Sequence, residues 1–288
     1  MKWLRAKFRG MKDSIGAAWL AVRTRSLVLT PVVVVVLLLI GLFVISLIPD
    51  DNPAAPSQQA IRADFSAAHD GKAPPVGYHT TESLIRTVDI IVNKRGGLIS
   101  NDVLPPFVMM DNIPAWETGA LRQARDLALA MRNDITRAQS QSAEDANMVQ
   151  AQVLLNNDSE RWIFPSAEGK YNEAVERLEA YRADLVDTDS AAGDFYARAD
   201  NLALALELMS KRLGSMSQNL AASVAEERRD TSLANDPSAQ SAKTRAASEI
   251  VRTPWMQIDN VFYQARGTTW AMLVYLKAFE RDFERVLA

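Results

Sequence analysis

Apolar positions along this 288-residue chain fall into three regimes. The first is an unbroken run from Leu27 to Ile48, LVLTPVVVVVLLLIGLFVISLI, with no charged residue in it. As a helix it would be about 33 Å long, enough for a hydrocarbon core of roughly 30 Å. The second regime, residues 49–77, sets Pro49, Pro53, Pro56, Pro74 and Pro75 among polar residues. Only Ile61 and Phe65 hint at a short helix there, so the stretch reads as a tether. From residue 78 onward the apolar positions step by three and four, the period of a helix with one buried face.

Several runs carry that period. A helix over about Thr81 to Lys94 offers Leu84, Ile85, Val88 and Ile91 and stops at Gly96 and Gly97. Leu121, Ala124, Ala128, Met131, Ile135 and Ala138 follow, and residues 143–155 add Ala146, Val149 and Val153. Tyr171, Ala174, Leu178, Tyr181 and Leu185 repeat the rhythm. The longest run is Phe195, Ala199, Leu202, Leu206, Met209, Leu213, Met216, Leu220 and Val224, and Ile258 to Val286 resumes it. Alternating steps of four and three mark the seam of helices packed at shallow angles. Ser142 with Asp145, and Ser166 after Pro165, stand where helix N-caps belong. Asp187 to Gly193 reads as a short turn between antiparallel helices. Leu98 to Pro114 is irregular and proline-rich, and Asp230 to Thr244 is polar. Several similar seams joined by short turns favour packing within one chain over an intermolecular coiled coil.

The expected fold is therefore all-α, an N-terminal transmembrane helix followed by a multi-helix antiparallel bundle with coiled-coil-like seams. Residues 1–26 form a basic amphipathic leader, 27–48 a transmembrane signal anchor, 49–77 a Pro-rich tether and 78–288 an exported helical domain.

Charge orients this arrangement. Lys2, Arg5, Lys7, Arg9, Lys12, Arg23 and Arg25 precede the apolar run, against Asp13 alone. The positive-inside rule keeps such a leader in the cytoplasm, so the bulk of the chain faces the periplasm of a bacterial inner membrane, crossed once. A cleaved signal peptide would have an apolar core of about 7 to 15 residues and a small-x-small exit. Here the core is longer and leaves through Pro49, Asp50 and Asp51. Trp3, Leu4, Phe8, Met11, Ile15, Trp19 and Val22 lie on one face of the leader, so it can rest in the headgroup layer beside anionic lipid. With the leader at +6 and the whole chain at −3, the exported part carries −9, which argues against nucleic acid as a partner.

Candidate chemistry is sparse. The two histidines, His69 and His79, do not stand at helical spacing, and there is no cysteine, so no metal site and no cofactor motif is expected. Neither a Gly-x-Ser-x-Gly nor a phosphate-loop frame occurs. Four acids have aromatic neighbours, as a glycan-cleaving pair would need: Asp111, Glu117 beside Trp116, Glu160 beside Trp162, and Asp259 near Trp255. Three tryptophans at element boundaries are the candidate partner-binding residues. Trp116 follows the proline-rich insertion, Trp162 lies in Arg161-Trp-Ile-Phe-Pro, and Trp255 opens the final helix. Trp255, Phe262, Tyr263, Trp270 and Tyr275 cover most of that helix's circumference, so it is a core helix or docks on a partner.

The stretches GYHTTESLIRTVDIIVNKRGGLISNDVLPPFVMMDNIPAWETGAL, NNDSERWIFPSAEGKYNEA and VRTPWMQIDNVFYQARGTTWA resemble a family of proteobacterial inner-membrane proteins known only as a domain of unknown function, numbered 2333. The likeness covers the exported part and the anchor. It implies a single-pass membrane protein and brings no catalytic residues. Two functions stand on this footing. One is a non-enzymatic envelope scaffold or protein-binding module, held to membrane lipid by anchor and leader, with another envelope protein as partner and a homo-oligomer as an option. The other is a membrane-tethered hydrolase of envelope glycan or lipid.

Overall fold

The computed structural model describes residues 30–47, 53–138, 144–187, 193–224, 228–229, 248–249 and 253–288. The leader, Ser142 and the polar insertion from Asp230 to Thr244 lie outside them. The chain divides into two units, Met1–Ile48 and Pro49–Ala288.

In the first unit residues 30–46 form a helix, α1, with Thr30 and Pro31 already helical. Its Val, Leu, Ile and Phe side chains are exposed from Val32 to Leu47. Among the described residues no helix is long and apolar enough to cross a membrane. Leu27, Val28, Leu29 and Ile48 of the uncharged run lie outside the described residues.

The second unit is helical. It contains α2 (Gln58–Ala68), α3 (Tyr78–Asn93), α4 (Asn112–Ala130), α5 (Ala146–Leu155), α6 (Ala167–Val186), α7 (Ala199–Ser223), α8 (Ile258–Asp282) and the short α9 (Glu284–Leu287). Two-residue segments, Arg228–Arg229 and Ser248–Glu249, pair antiparallel. Local chemistry starts several of these helices. Asp145 accepts the Met148 amide at 2.7 Å to open α5, and Ser166 accepts the Gly169 amide at 3.2 Å to open α6. Gly77 precedes α3 at φ 91°, a left-handed conformation that glycine adopts without strain. Pro114 falls in the first turn of α4, where its missing N–H has no partner to lose.

Cross-helix pairs fix the directions. Lys94 at the end of α3 meets Glu117 near the start of α4. Arg125 donates to the Leu155 carbonyl at 2.6 Å while Arg132 reaches Gln152 at 2.9 Å, so α5 runs back along α4. Asn147 pairs with Asp184 across α5 and α6. Arg212 meets Asp126, and the Tyr196 amide meets the Ile135 carbonyl, so α7 opposes α4. The Thr253 amide reaches the Ala222 carbonyl ahead of α8, and Thr80 of α3 meets Asp282 of α8. Each helix from α3 to α8 thus runs opposite to the one before it.

The core gathers around α8, which packs on α3, α4 and α7. Its tightest contact is a crossing of two glycines. A Cβ on Gly119 would fall against the Gln264 carbonyl, and one on Gly267 against the Trp116 carbonyl. Ala120, Ala124 and Ala271, all fully buried, keep the same approach open. Across it the Thr268 hydroxyl donates to the Gly119 carbonyl at 3.2 Å. Small residues let the two backbones touch, and dispersion at that distance replaces the bulk of larger side chains.

Three expectations change. The stretch read as a tether contains α2, whose Ile61 and Phe65 are buried, the latter edge-on to Tyr78 at 4.7 Å. Two apolar residues four apart suffice because the first turn of α3 supplies the surface they cover. Helix α7 starts at Ala199 rather than Phe195. The Tyr196 amide is held by Ile135 and the Phe195 ring packs on Phe283 at 5.7 Å, so the chain is diverted before it can coil. The seam of α7 is also displaced. Leu202, Ala205, Met209 and Met216 are buried, whereas Leu206 is 40% exposed and Leu213 faces outward. An outer helix buries a narrow stripe, and Arg212, tied to Asp126 at 2.7 Å, fixes which stripe it is.

Candidate functional site

Because the helices alternate in direction, the helical domain has two ends of different make-up. The first gathers the start of α3 and the close of α8, with α2 laid across it. A cavity of about 660 Å³ opens there between Gln58 and Arg62 of α2, the Pro74-Pro75-Val76 turn, His79, Phe195, and Arg281 to Arg285. Its floor is buried and polar. His79 Nδ1 donates to the Gln58 amide oxygen at 2.9 Å, and the Gln58 amide nitrogen donates to Ser83 Oγ at 2.8 Å. That chain assigns the His79 proton to Nδ1 and leaves Nε2 as the acceptor. Burial, then the Arg281 and Arg62 charges, lower the His79 pKa, so the ring is neutral at pH 7.

Asp282 completes the floor. One carboxylate oxygen accepts the Thr80 amide at 2.7 Å and the Thr80 hydroxyl at 2.6 Å. With the Gly77 and His79 amides also turned toward it, this carboxyl serves as N-cap to α3 from a distant part of the sequence. Burial pushes its pKa up to about 6, against the lowering effect of those hydrogen bonds. The Arg62, Arg281 and Arg285 side chains on the rim are exposed and form no ion pair among the described residues.

The opposite end gathers the close of α3, α5 and α7 and the start of α4, α6 and α8. Its loops expose apolar side chains. Leu104 and Met109 project from the proline-rich insertion, Trp162, Ile163 and Phe164 from the α5–α6 loop, and Trp255 and Met256 ahead of α8. Phe164 is 95% exposed and Trp255 81%. A buried ion pair supports this end from beneath. Lys94 Nζ contacts Glu117 and donates to the Ile91 carbonyl at 3.0 Å and to the Gly97 carbonyl. Glu117 also accepts the Ile99 amide at 3.0 Å and the Ser100 amide at 2.8 Å. Both charges are enclosed and hydrogen-bonded on all sides, the condition under which a buried pair is tolerated.

The sequence-derived candidates therefore separate. Trp116 is only 2% exposed and packs on Trp270 at 5.0 Å, so its ring belongs to the core rather than to a partner surface. A helix that must touch α8 closely turns its one large ring inward beside Gly119. Trp162 and Trp255 do reach solvent, on the same end of the domain. Glu117 is committed to Lys94, and Asp111, Glu160 and Asp259 are exposed. No group of three or more metal-ligating side chains occurs among the described residues. The cationic cavity escaped sequence reading, since Arg62 lay in the presumed tether and His79 had no spacing partner. The one available signal was Arg281 and Arg285, four apart on a helix end.

A family described as an uncharacterized protein conserved in bacteria, DUF2333, matches residues 22–288, so the chain belongs to it. No curated protein and no solved structure matches the chain.

Proposed function

We propose that this family member is a non-enzymatic protein-binding module of the bacterial envelope, anchored in the inner membrane by residues 27–48, with an antiparallel bundle of coiled-coil-like seams on the periplasmic side. The observation that carries the reading is the aromatic end of the helical domain. A domain whose interior is closely packed nonetheless leaves Trp162, Phe164 and Trp255 in water on one end. Exposed rings of that size on loops are what buried anchors of protein interfaces look like before association. Support for the anchor comes from the uncharged run, from the exposed apolar side chains of most of α1 and from the basic leader before it.

The hydrolase alternative needs two carboxyls about 5 to 9.5 Å apart in a cleft. Glu117, its best-placed acid, is enclosed by Lys94 and three backbone or hydroxyl donors, out of reach of a substrate. The binding reading has no such difficulty.

The test is photocrosslinking in intact cells from a reactive amino acid placed at Phe164 or Trp255 of the full chain. Discrete adducts should form from both positions and not from Gln59 on the opposite end. Adducts from Gln59 alone, or from none of the three, would overturn the assignment of the surface. Alkaline phosphatase fused after Ala288 should be active, and an inactive fusion would overturn the topology.

A further inference from the structure

The cavity under α2 has no role in the binding reading, and its composition is specific. Three guanidiniums, Arg62, Arg281 and Arg285, surround it against a single rim carboxylate, Glu284. Asp282 also lines the cavity, with its carboxylate hydrogen-bonded to the amides of α3 rather than to the guanidiniums. Guanidiniums that outnumber the carboxylates around a cavity and hold no ion pair among the described residues favour the entry of an anion. Arg281 and Arg285 lie four apart where α8 passes into α9, and Arg62 comes from α2, far from them in the sequence. Beneath them His79 is nine-tenths buried, locked in one tautomer by Gln58, and its ring lines the cavity. Phe195 and the Pro74-Pro75-Val76 turn form an apolar wall opposite.

We propose that this cavity binds a phosphomonoester, its phosphoryl group among Arg62, Arg281 and Arg285 and its carbon body against the Phe195 wall. A carboxylate has two oxygens and one charge, fewer than three forked guanidiniums can use. A phosphoryl group offers three terminal oxygens, one for each of the three guanidiniums. The same group occurs on soluble sugar or glycerol phosphates and on the headgroup of phosphatidic acid, and the cavity chemistry is shared by both.

The experiment uses the full chain in nanodiscs of phosphatidylcholine. One arm titrates glycerol 3-phosphate by calorimetry, and the other measures capture by separate phosphatidylcholine vesicles containing phosphatidic acid. Saturable binding is expected in at least one arm, and the arm that responds identifies the source. Arg281→Gln and Arg62→Gln should each weaken it about tenfold, the loss of one charge-assisted contact. Arg95→Gln, an exposed cation on the opposite end, should leave it unchanged. Both cavity arginines are exposed, so the melts of these variants should match the wild type and a lost signal cannot be ascribed to unfolding. The proposal is overturned if neither probe saturates, or if the two cavity variants bind as the wild type does. Neither result bears on the crosslinks expected from Phe164 and Trp255.

Discussion

At the cavity end of the domain the exposed groups are cations on helices, whereas at the aromatic end they are apolar rings on loops. Arg62, Arg281 and Arg285 stand on α2, α8 and α9, and the floor between them is a hydrogen-bonded chain from Ser83 through Gln58 to His79. Phe164, Trp255 and Met109 stand outside the long helices, on loops tied at their bases by the Lys94–Glu117 pair and by Arg125 and Tyr171 on the Asn157 carbonyl. Helix-mounted groups with buried supports keep their geometry, which suits a small ligand of fixed shape. Loop-mounted rings can adjust, which suits the broader surface of another protein. One bundle thus presents a rigid end and an adaptable one.

The two ends can be separated by mutation, beginning with the largest effect. Glu117→Ala removes the acid beneath the aromatic end and leaves the Lys94 ammonium enclosed without its partner. A loss of about 3 to 5 kcal/mol is expected in chemical denaturation of the full chain. A loss below about 1 kcal/mol would mean the pair adds little to the loop it supports. Gly267→Ala strikes the crossing of α4 and α8 at Trp116 to Ala120, in the first half of α4. Because its Cβ meets backbone rather than a movable side chain, about 3 kcal/mol is expected, and both ends should weaken together. If only one end weakens, the crossing does not couple them.

A smaller effect concerns the cavity end and pH. The Asp282 carboxyl titrates at about 6 in the folded protein and near 3.8 in the unfolded chain. A raised carboxyl pKa means that the folded form binds the proton more tightly. Its contribution to stability is therefore full below about pH 4 and is lost as pH rises through 6. Asp282→Asn keeps an oxygen for the Thr80 amide and removes the titration. Between pH 7 and 4.5 the wild type should gain on the order of 2 kcal/mol relative to that variant. Parallel melts at the two pH values would show that the carboxyl is not perturbed. The smallest change in stability is expected from Phe164→Ser and Trp255→Ser at the aromatic end. Each should move the melt by less than about 0.5 kcal/mol while removing the crosslinks formed through that surface.

Most of the helices were legible because they bury one face. Period three and four located α3, α6 and α8, and Asp145 and Ser166 marked the starts of α5 and α6 in the sequence itself. The register of α7 was less legible. Leu206 and Leu213 are as apolar as Met209 and Met216, and only the ion pair of Arg212 with Asp126, on another helix, selects the buried stripe. Helix α2 was read as tether because two apolar residues are a weak signal until Tyr78 is placed against them. At the aromatic end, boundary position singled out Trp162 and Trp255, which are exposed. It did not distinguish them from Trp116, whose burial depends on Gly119 and Gly267 bringing two helices into contact. The cavity was the least legible, since its cations come from residues 62, 281 and 285 and acquire meaning only when α2 lies across α3.

The Asp282 cap also bears on how the chain folds as it is made. The Thr80 amide finds its acceptor 202 residues later. Until residue 282 has left the ribosome, α3 begins with open donors and α8 is not there to cover it. The domain therefore stays loose during synthesis. It closes only when a contact of very long sequence separation forms, the kind that makes folding slow and late rather than early.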